Sequence, residues 1–372
     1  MMRSQNITGI ILFIVLAAGC TTQFFPDYDQ NQEQLVVEGM ITDQKQVYKI
    51  KLSKSLPVGQ PIIRKPVKGA TVTIINEDGI LTTLKETLPG IYSTDSTKFR
   101  GQVGGKYSLN IRILNATYST DFIEMKPVPP ISSVYYEKVT IKYSQDSLYR
   151  DEGCKIYLDT YDPSGDCLYF RWDYTETYEY QVPYDVWNKI CWVTEQSDIV
   201  LIKNTSIYNQ ARVTKYPILF ISDETDKLKE RYSILVNQYS LNEQEYEFWE
   251  MVQNISQNVG GLYDITPVAI ESNIRSDNNP EESVLGYFSV SAVAKKRLFI
   301  EDQFLGWPNF YSYCATDTVY GNLPPGGLNI NYWIIEDYGD EPLPFWVVTT
   351  YRECADCTTK GTKVRPSFWN EH

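Results

Sequence analysis

Cys20 follows Ala17-Ala18-Gly19 at the end of an uncharged apolar run that begins at Gly9, behind a single basic residue, Arg3. A basic start, a short apolar core and small residues before a cut make the layout of a secretory signal, and the run is shorter than the ~20 apolar residues that span a bilayer. A cysteine at such a junction is a lipobox cysteine: its thiol is acylated and the chain is cut before it. Residues 1–19 are therefore expected to be a lipoprotein signal peptide, Cys20 the lipidation site, and 20–33, polar and without period, a tether. The implied partner is a membrane, held through lipid.

Six further cysteines, Cys154, Cys167, Cys191, Cys314, Cys354 and Cys357, make an even set, which in an exported chain reads as disulfides. Cys154 and Cys167 flank Tyr161-Asp162-Pro163-Ser164-Gly165-Asp166, a turn signal between alternating runs, so a bridge across a hairpin is expected there. Cys354-Ala355-Asp356-Cys357 has the spacing of a redox or half-zinc motif. No βαβ pattern surrounds it and no second pair completes it, so disulfide chemistry is favoured over metal.

Other chemistry is sparse. His372 is the only histidine and the last residue, which argues against Ser-His-Asp, Cys-His and His-zinc schemes. There is no Gly-x-Ser-x-Gly elbow, and Leu323-Pro324-Pro325-Gly326-Gly327 puts prolines where a phosphate nest needs N–H groups. Two carboxylates would suffice for a glycosidase, but Glu176 and the pair Glu336-Asp337 read as solvated strand-edge charges. Asp159, Asp162, Ser164 and Asp166 space their oxygens closely enough to make a weak calcium candidate; an Asx turn is the preferred reading. No cofactor is expected.

The elements that must position these groups are strands. Leu35 to Ile41, Val47 to Leu52 and Ala70 to Ile75 alternate or are rich in β-branched residues, and turn signals at Asn76 to Gly79 and at Pro89-Gly90 separate them from later runs. Residues 34–126 are expected to form an antiparallel β-sandwich, and Pro127-Val128-Pro129-Pro130 a stiff joint. Residues 131–372 then make a larger β-rich domain. Phe248, Val252, Ile255 and Val259 recur at helical spacing, so one amphipathic helix is expected near 242–259. Ser240 or Asn242 would cap it and Gly260-Gly261 stop it.

The net charge of −13 and pI near 4.7 argue against nucleic acid or an anionic membrane surface as partner. Aromatics are 14% of residues, 29 of them Tyr. Most are expected in sheet cores; a sharper reading is a ring-lined surface for a glycan or peptide, with Trp187, Trp192, Trp307 and Trp333 as candidates.

Several phrases coincide in order: Leu35-Val36-Val37-Glu38-Gly39, Gly69-Ala70-Thr71-Val72, Pro89-Gly90-Ile91-Tyr92, Gly104-Gly105-Lys106-Tyr107, Tyr232 to Ser240, Gly286-Tyr287-Phe288-Ser289-Val290 and Arg365-Pro366-Ser367-Phe368-Trp369. With the lipobox they resemble a family of outer-membrane lipoproteins of Bacteroidota known only as a domain of unknown function. The resemblance implies a first domain similar to transthyretin-like or fibronectin-like sandwiches, and genes beside TonB-dependent receptors. It transfers no catalytic residue. The chain is thus expected to be a non-enzymatic binding accessory to such a receptor. A carbohydrate-binding or adhesion lipoprotein is the alternative, and an acid-pair hydrolase ranks third. Thr21 to Pro26 delay the first acidic residue to Asp27, which leaves the periplasmic and cell-surface faces of the outer membrane both open.

Overall fold

The computed structural model describes residues 33–55, 65–142, 150–222, 225–257, 270–301, 314–321 and 332–370. The signal, Cys20 and the tether, Trp307, the 323–327 loop, Val259 to Gly261 and His372 lie outside them. The chain is mostly β, in several sheets, with one α-helix among the described residues.

Alternation builds the first unit. In Lys49–Lys54, Ile50 and Leu52 are buried while Lys49 and Lys51 face water; in Thr71–Asn76 the buried pair is Val72 and Ile74. One sheet orders its strands Leu285–Val290, Leu35–Ile41, Lys49–Lys54, Ile91–Ser93 and Lys85–Leu88. The other orders Ile274–Ser276, Ala116–Thr120, Lys106–Ile113, Thr71–Asn76 and Leu81–Thr83. Val37, Ile41, Ile50, Leu52 and Phe288 from the first pack on Val72, Ile74, Leu109 and Ile111 from the second.

This sandwich is not made from residues 34–126 alone. Leu285–Val290 lies parallel to Leu35–Ile41, from Val36 opposite Leu285 to Ile41 opposite Val290, and Ile274–Ser276 pairs antiparallel with Ala116–Thr120. The expected contiguous boundary at 127–130 is therefore corrected: the chain leaves the sandwich there, builds most of a second unit, and returns to close the first. The physical reason is that Leu35–Ile41, with Val37 fully buried, needs a neighbour on its second edge, and no strand among the described residues of 34–126 supplies one.

The second unit also has two sheets. Ile131–Lys142, Arg150–Asp162 and Ala211–Ser222 form one; Ile190–Gln196, Tyr169–Gln181, Tyr232–Leu241 and Val293–Ile300 form the other, with Leu201–Asn204 against Tyr169–Gln181. Ile156, Leu158, Phe170, Trp172, Ile234 and Val236 fill the space between. A third, small sheet orders Asp317–Tyr320, Phe345–Thr349 and Trp333–Tyr338.

The two units are joined by two crossings that run side by side. Lys126 and Ser291 form a parallel bridge. Ser240 Oγ donates to Lys126 O at 2.6 Å, Ser291 N to Ile41 O at 3.1 Å, and Val293 N to Asp43 Oδ1 at 3.0 Å. Buried Gln238 accepts from Trp172 Nε1 at 2.9 Å and donates to Pro129 O at 2.8 Å, tying the proline joint to the second core.

The helix, Glu243–Gln257, lies over this seam. Asn242 Oδ1 caps it by accepting from Glu245 N at 2.8 Å; Ser240 is occupied by Lys126. Phe248 packs on Tyr287 with ring centroids 4.7 Å apart, whereas Ile255 of the expected stripe is exposed. Besides Phe248 and the half-buried Trp249, the covered face takes in the charged Glu245. Arg171 lies under it, its guanidinium 4.4 Å from the Trp249 ring and 4.8 Å from the Tyr239 ring. No helix among the described residues is long and apolar enough to cross a membrane.

Candidate functional site

Two disulfides define the part of the molecule that follows the second unit. Cys191–Cys357 and Cys314–Cys354 close loops of 166 and 40 residues. Each cysteine of Cys354-Ala355-Asp356-Cys357 takes a distant partner, so the motif acts as a double staple. Asp356 holds the turn between them: its carboxylate accepts from Thr358 N and Asn188 Nδ2, each at 3.0 Å, and from Arg352 Nη2 at 3.0 Å. Burial opposes its ionisation, but these donors outweigh it and keep its pKa below the ordinary value.

The expected Cys154–Cys167 bridge is not formed; both are buried thiols. Arg150–Asp162 and Tyr169–Gln181 belong to different sheets, so the turn between them joins two layers rather than two strands of one hairpin. Burial pushes the Cys167 thiol far up, which makes it inert as a nucleophile.

The same turn decides the calcium candidate. Asp162 Oδ1 accepts from Ser164 N and Ser164 Oγ at 3.0 and 2.6 Å, and Oδ2 from Cys167 N at 2.8 Å, an Asx turn. Asp159 is used by Lys215 N at 2.6 Å and Ser133 Oγ at 3.1 Å. Asp159, Asp162 and Asp166 do not converge, and no group of three potential ligands does so among the described residues.

Glu176 is not a solvated edge charge. Its strand has neighbours on both sides, and it is buried, accepting from Lys227 Nζ at 2.5 Å and Tyr232 OH at 2.8 Å. Lys227 also pairs with Glu195, opposite Glu176 in register, at 2.7 Å. Burial disfavours the charged ammonium, yet the two carboxylates outweigh it and raise its pKa. An acid pair working on a sugar needs ~5–10 Å of open space between its carboxyls; here Lys227 fills it. Glu336 and Asp337 lie on the exposed strand Trp333–Tyr338, where Glu336 accepts from Tyr338 OH at 2.9 Å.

Of the four tryptophans, Trp307 lies outside the described residues and Trp333 begins the strand Trp333–Tyr338. Trp187 is 90% exposed, with Lys363 Nζ 5.0 Å from its ring centroid, and Trp192 and Trp333 are half-buried. On the small sheet, however, Tyr338 stacks on Phe345 at 4.4 Å and 15°, and Tyr320 flanks Phe345 at 6.2 Å. Leu343 and Tyr320 are 82% and 78% exposed. A hollow of about 480 Å³ lies between Tyr338, Glu341, Pro342, Leu343 and Phe345. The sequence signal was present: aromatics and Leu-Pro dipeptides crowd between Cys314 and Cys354.

The two ends of the segment that carries this ledge are tied to the second unit. Tyr184 OH donates to Cys314 O at 2.5 Å, Tyr180 OH to Glu353 O at 3.0 Å, and Cys357 N to Asn188 O at 2.9 Å. Arg297 stacks 3.6 Å from the Phe368 ring centroid and Arg231 5.4 Å from that of Trp369, closing the far side.

A family profile described as a domain of unknown function, DUF4249, matches residues 21–297. The chain belongs to the DUF4249 family. No curated protein matches it. The DUF4249 region takes in every strand of the sandwich, the helix and most of the second unit, and it ends within Val293–Ile300. The staple cysteines Cys314, Cys354 and Cys357 and the aromatic ledge follow it.

Proposed function

We propose that this DUF4249 protein is a non-enzymatic, lipid-anchored cell-envelope protein that serves as a binding accessory to a TonB-dependent outer-membrane receptor. The observation that carries the reading is the ledge of Tyr320, Tyr338 and Leu343, exposed around a half-buried Phe345 in a segment whose ends Cys314–Cys354 joins. Rigid aromatic anchors surrounded by apolar contacts are the residues that dominate protein interfaces, and pre-ordering them lowers the entropy lost on docking. The lipobox and the family resemblance supply the membrane and the class of partner. The engagement of Glu176 and Glu195 by Lys227 fits a binding role better than hydrolysis.

The test is mild crosslinking of intact envelopes followed by purification of the protein. Recovery of an outer-membrane receptor with the native chain, lost in Leu343→Asp, is the expected result; a native chain that brings down no receptor overturns the reading. Protease shaving of intact cells assigns the face of the membrane. Carbohydrate binding is the second reading, favoured by the near-parallel Tyr338 and Phe345 rings. Binding of a neutral glycan that Tyr338→Ala abolishes would select it.

A further inference from the structure

Away from the ledge, the strand Ala211–Ser222 forms an open edge of its three-stranded sheet, and its ladder with Arg150–Asp162 is broken. Leu158 pairs with Tyr216 and Thr160 with Val213, so Thr214 and Lys215 together face Asp159 alone. Lys215 takes a left-handed backbone, φ 52°, and its N–H donates to Asp159 Oδ1 at 2.6 Å. Bulges and left-handed non-glycine residues are costly, and they gather where a chain re-aims side chains for a purpose.

Beside the bulge, positive charge gathers from two strands. A hollow of about 360 Å³ is lined by Lys203, Tyr208, Arg212, Thr214, Lys215 and Tyr216, among others. The Arg212 guanidinium lies 4.1 Å from the centroid of Tyr161, Lys203 Nζ 5.6 Å from that of Tyr208, and Lys215 Nζ 4.9 Å from that of Tyr157. Glu137 takes Lys215 at 2.8 Å, whereas Lys203 and Arg212 have no carboxylate partner among the described residues. Lys203 and Arg212 thus lie over rings beside a half-exposed Tyr208. Cations on aromatic faces keep their outward side for an anion, and an exposed ring offers a flat surface to a sugar.

We propose that this hollow binds an acidic saccharide, with Arg212 and Lys203 meeting the carboxylate and Tyr208 stacking on the sugar ring. The site is separate from the ledge and does not depend on the receptor reading. Titration calorimetry of the whole soluble chain at low salt, with glucuronate-containing disaccharide, the matching neutral disaccharide and inorganic sulfate as probes, tests it. The acidic disaccharide is expected to bind most tightly, to weaken at least about tenfold in Lys203→Ala/Arg212→Ala and to weaken as salt is raised. Tyr208→Ala should weaken the disaccharide while leaving sulfate unchanged, and none of these variants should alter the melting temperature by more than about 2 °C, since all three positions are surface residues. Absence of binding, binding indifferent to the double substitution, or equal affinity for the neutral sugar or for sulfate would overturn the proposal. The bulge, Pro217 and the cations would then serve only to blunt the open edge against other strands.

Discussion

One carboxyl at the seam is kept from water and from a full set of donors. Glu245 is wholly buried, its Oε1 accepts from Trp249 Nε1 at 3.4 Å, and its Oε2 has no hydrogen-bond partner among the described residues. Burial raises its pKa above the ordinary 4.5, against the pull of Ser289, Arg171 and Trp249. A folded-state pKa above the unfolded one means that the folded protein holds the proton more tightly. The stability this gives is complete below about pH 4.5 and is lost as pH rises through the folded value. Glu245→Gln should therefore melt at or slightly above the native chain near neutral pH, by about 2 °C, and respond less to acidification. A fall of several degrees would show that the field of Arg171 makes the charged form a net benefit. Gly286 sets a second residue-level constraint. Its φ is 89°, and a Cβ there would lie 2.0 Å from Val37 O, so Gly286→Ala should cost about 2–4 kcal/mol in denaturant unfolding.

Among the elements, strands were legible where alternation was local. Leu35–Ile41 matches its run in the sequence, Thr71–Asn76 is displaced by one residue, and the helix begins at its Asn242 cap. The helical stripe holds at Phe248 and fails at Ile255, because periodicity marks apolar residues, whereas the seam buries Glu245 and leaves Ile255 outside. Of the six cysteines read as disulfides four are bonded and Cys154 and Cys167 are not, since turn chemistry at Asp162 reveals a reversal of the chain without saying whether it stays in one sheet. The staple Cys191–Cys357 closes the longer loop, and loop-closure entropy makes it the more stabilising of the two. Cys191→Ala/Cys357→Ala should lower the unfolding free energy by about 2–5 kcal/mol, more than Cys314→Ala/Cys354→Ala does. Equal losses would point to local packing as the source. The aromatic ledge escaped notice because a single sequence cannot say which face of Phe345–Thr349 the structure covers; Trp346 is buried and Tyr338 is not.

For the molecule as a whole, the sandwich depends on residues that arrive some 150 positions later. A chain ending at residue 126 should remain largely unfolded by circular dichroism and proteolysis, and fusion of 270–291 behind it should restore protection. A folded 34–126 fragment would show that Leu285–Val290 only decorates an independent domain. This dependence was not legible, because Gly286 to Val290 reads as one more strand and nothing local tells it to lie parallel to Leu35–Ile41. It also governs how the protein bears load. If the proposed tether loads the chain at Leu35, it pulls that strand at its first residue, while Leu285–Val290 runs on from its last residue into Val293–Ile300 of the second unit. Parallel partners pulled from opposite ends slide rather than peel, so the ladder from Val36 to Ile41 shares the force across all its hydrogen bonds at once. Leu35–Ile41 would thus sit where the fold resists extraction, which is what the proposed anchor at Cys20 requires.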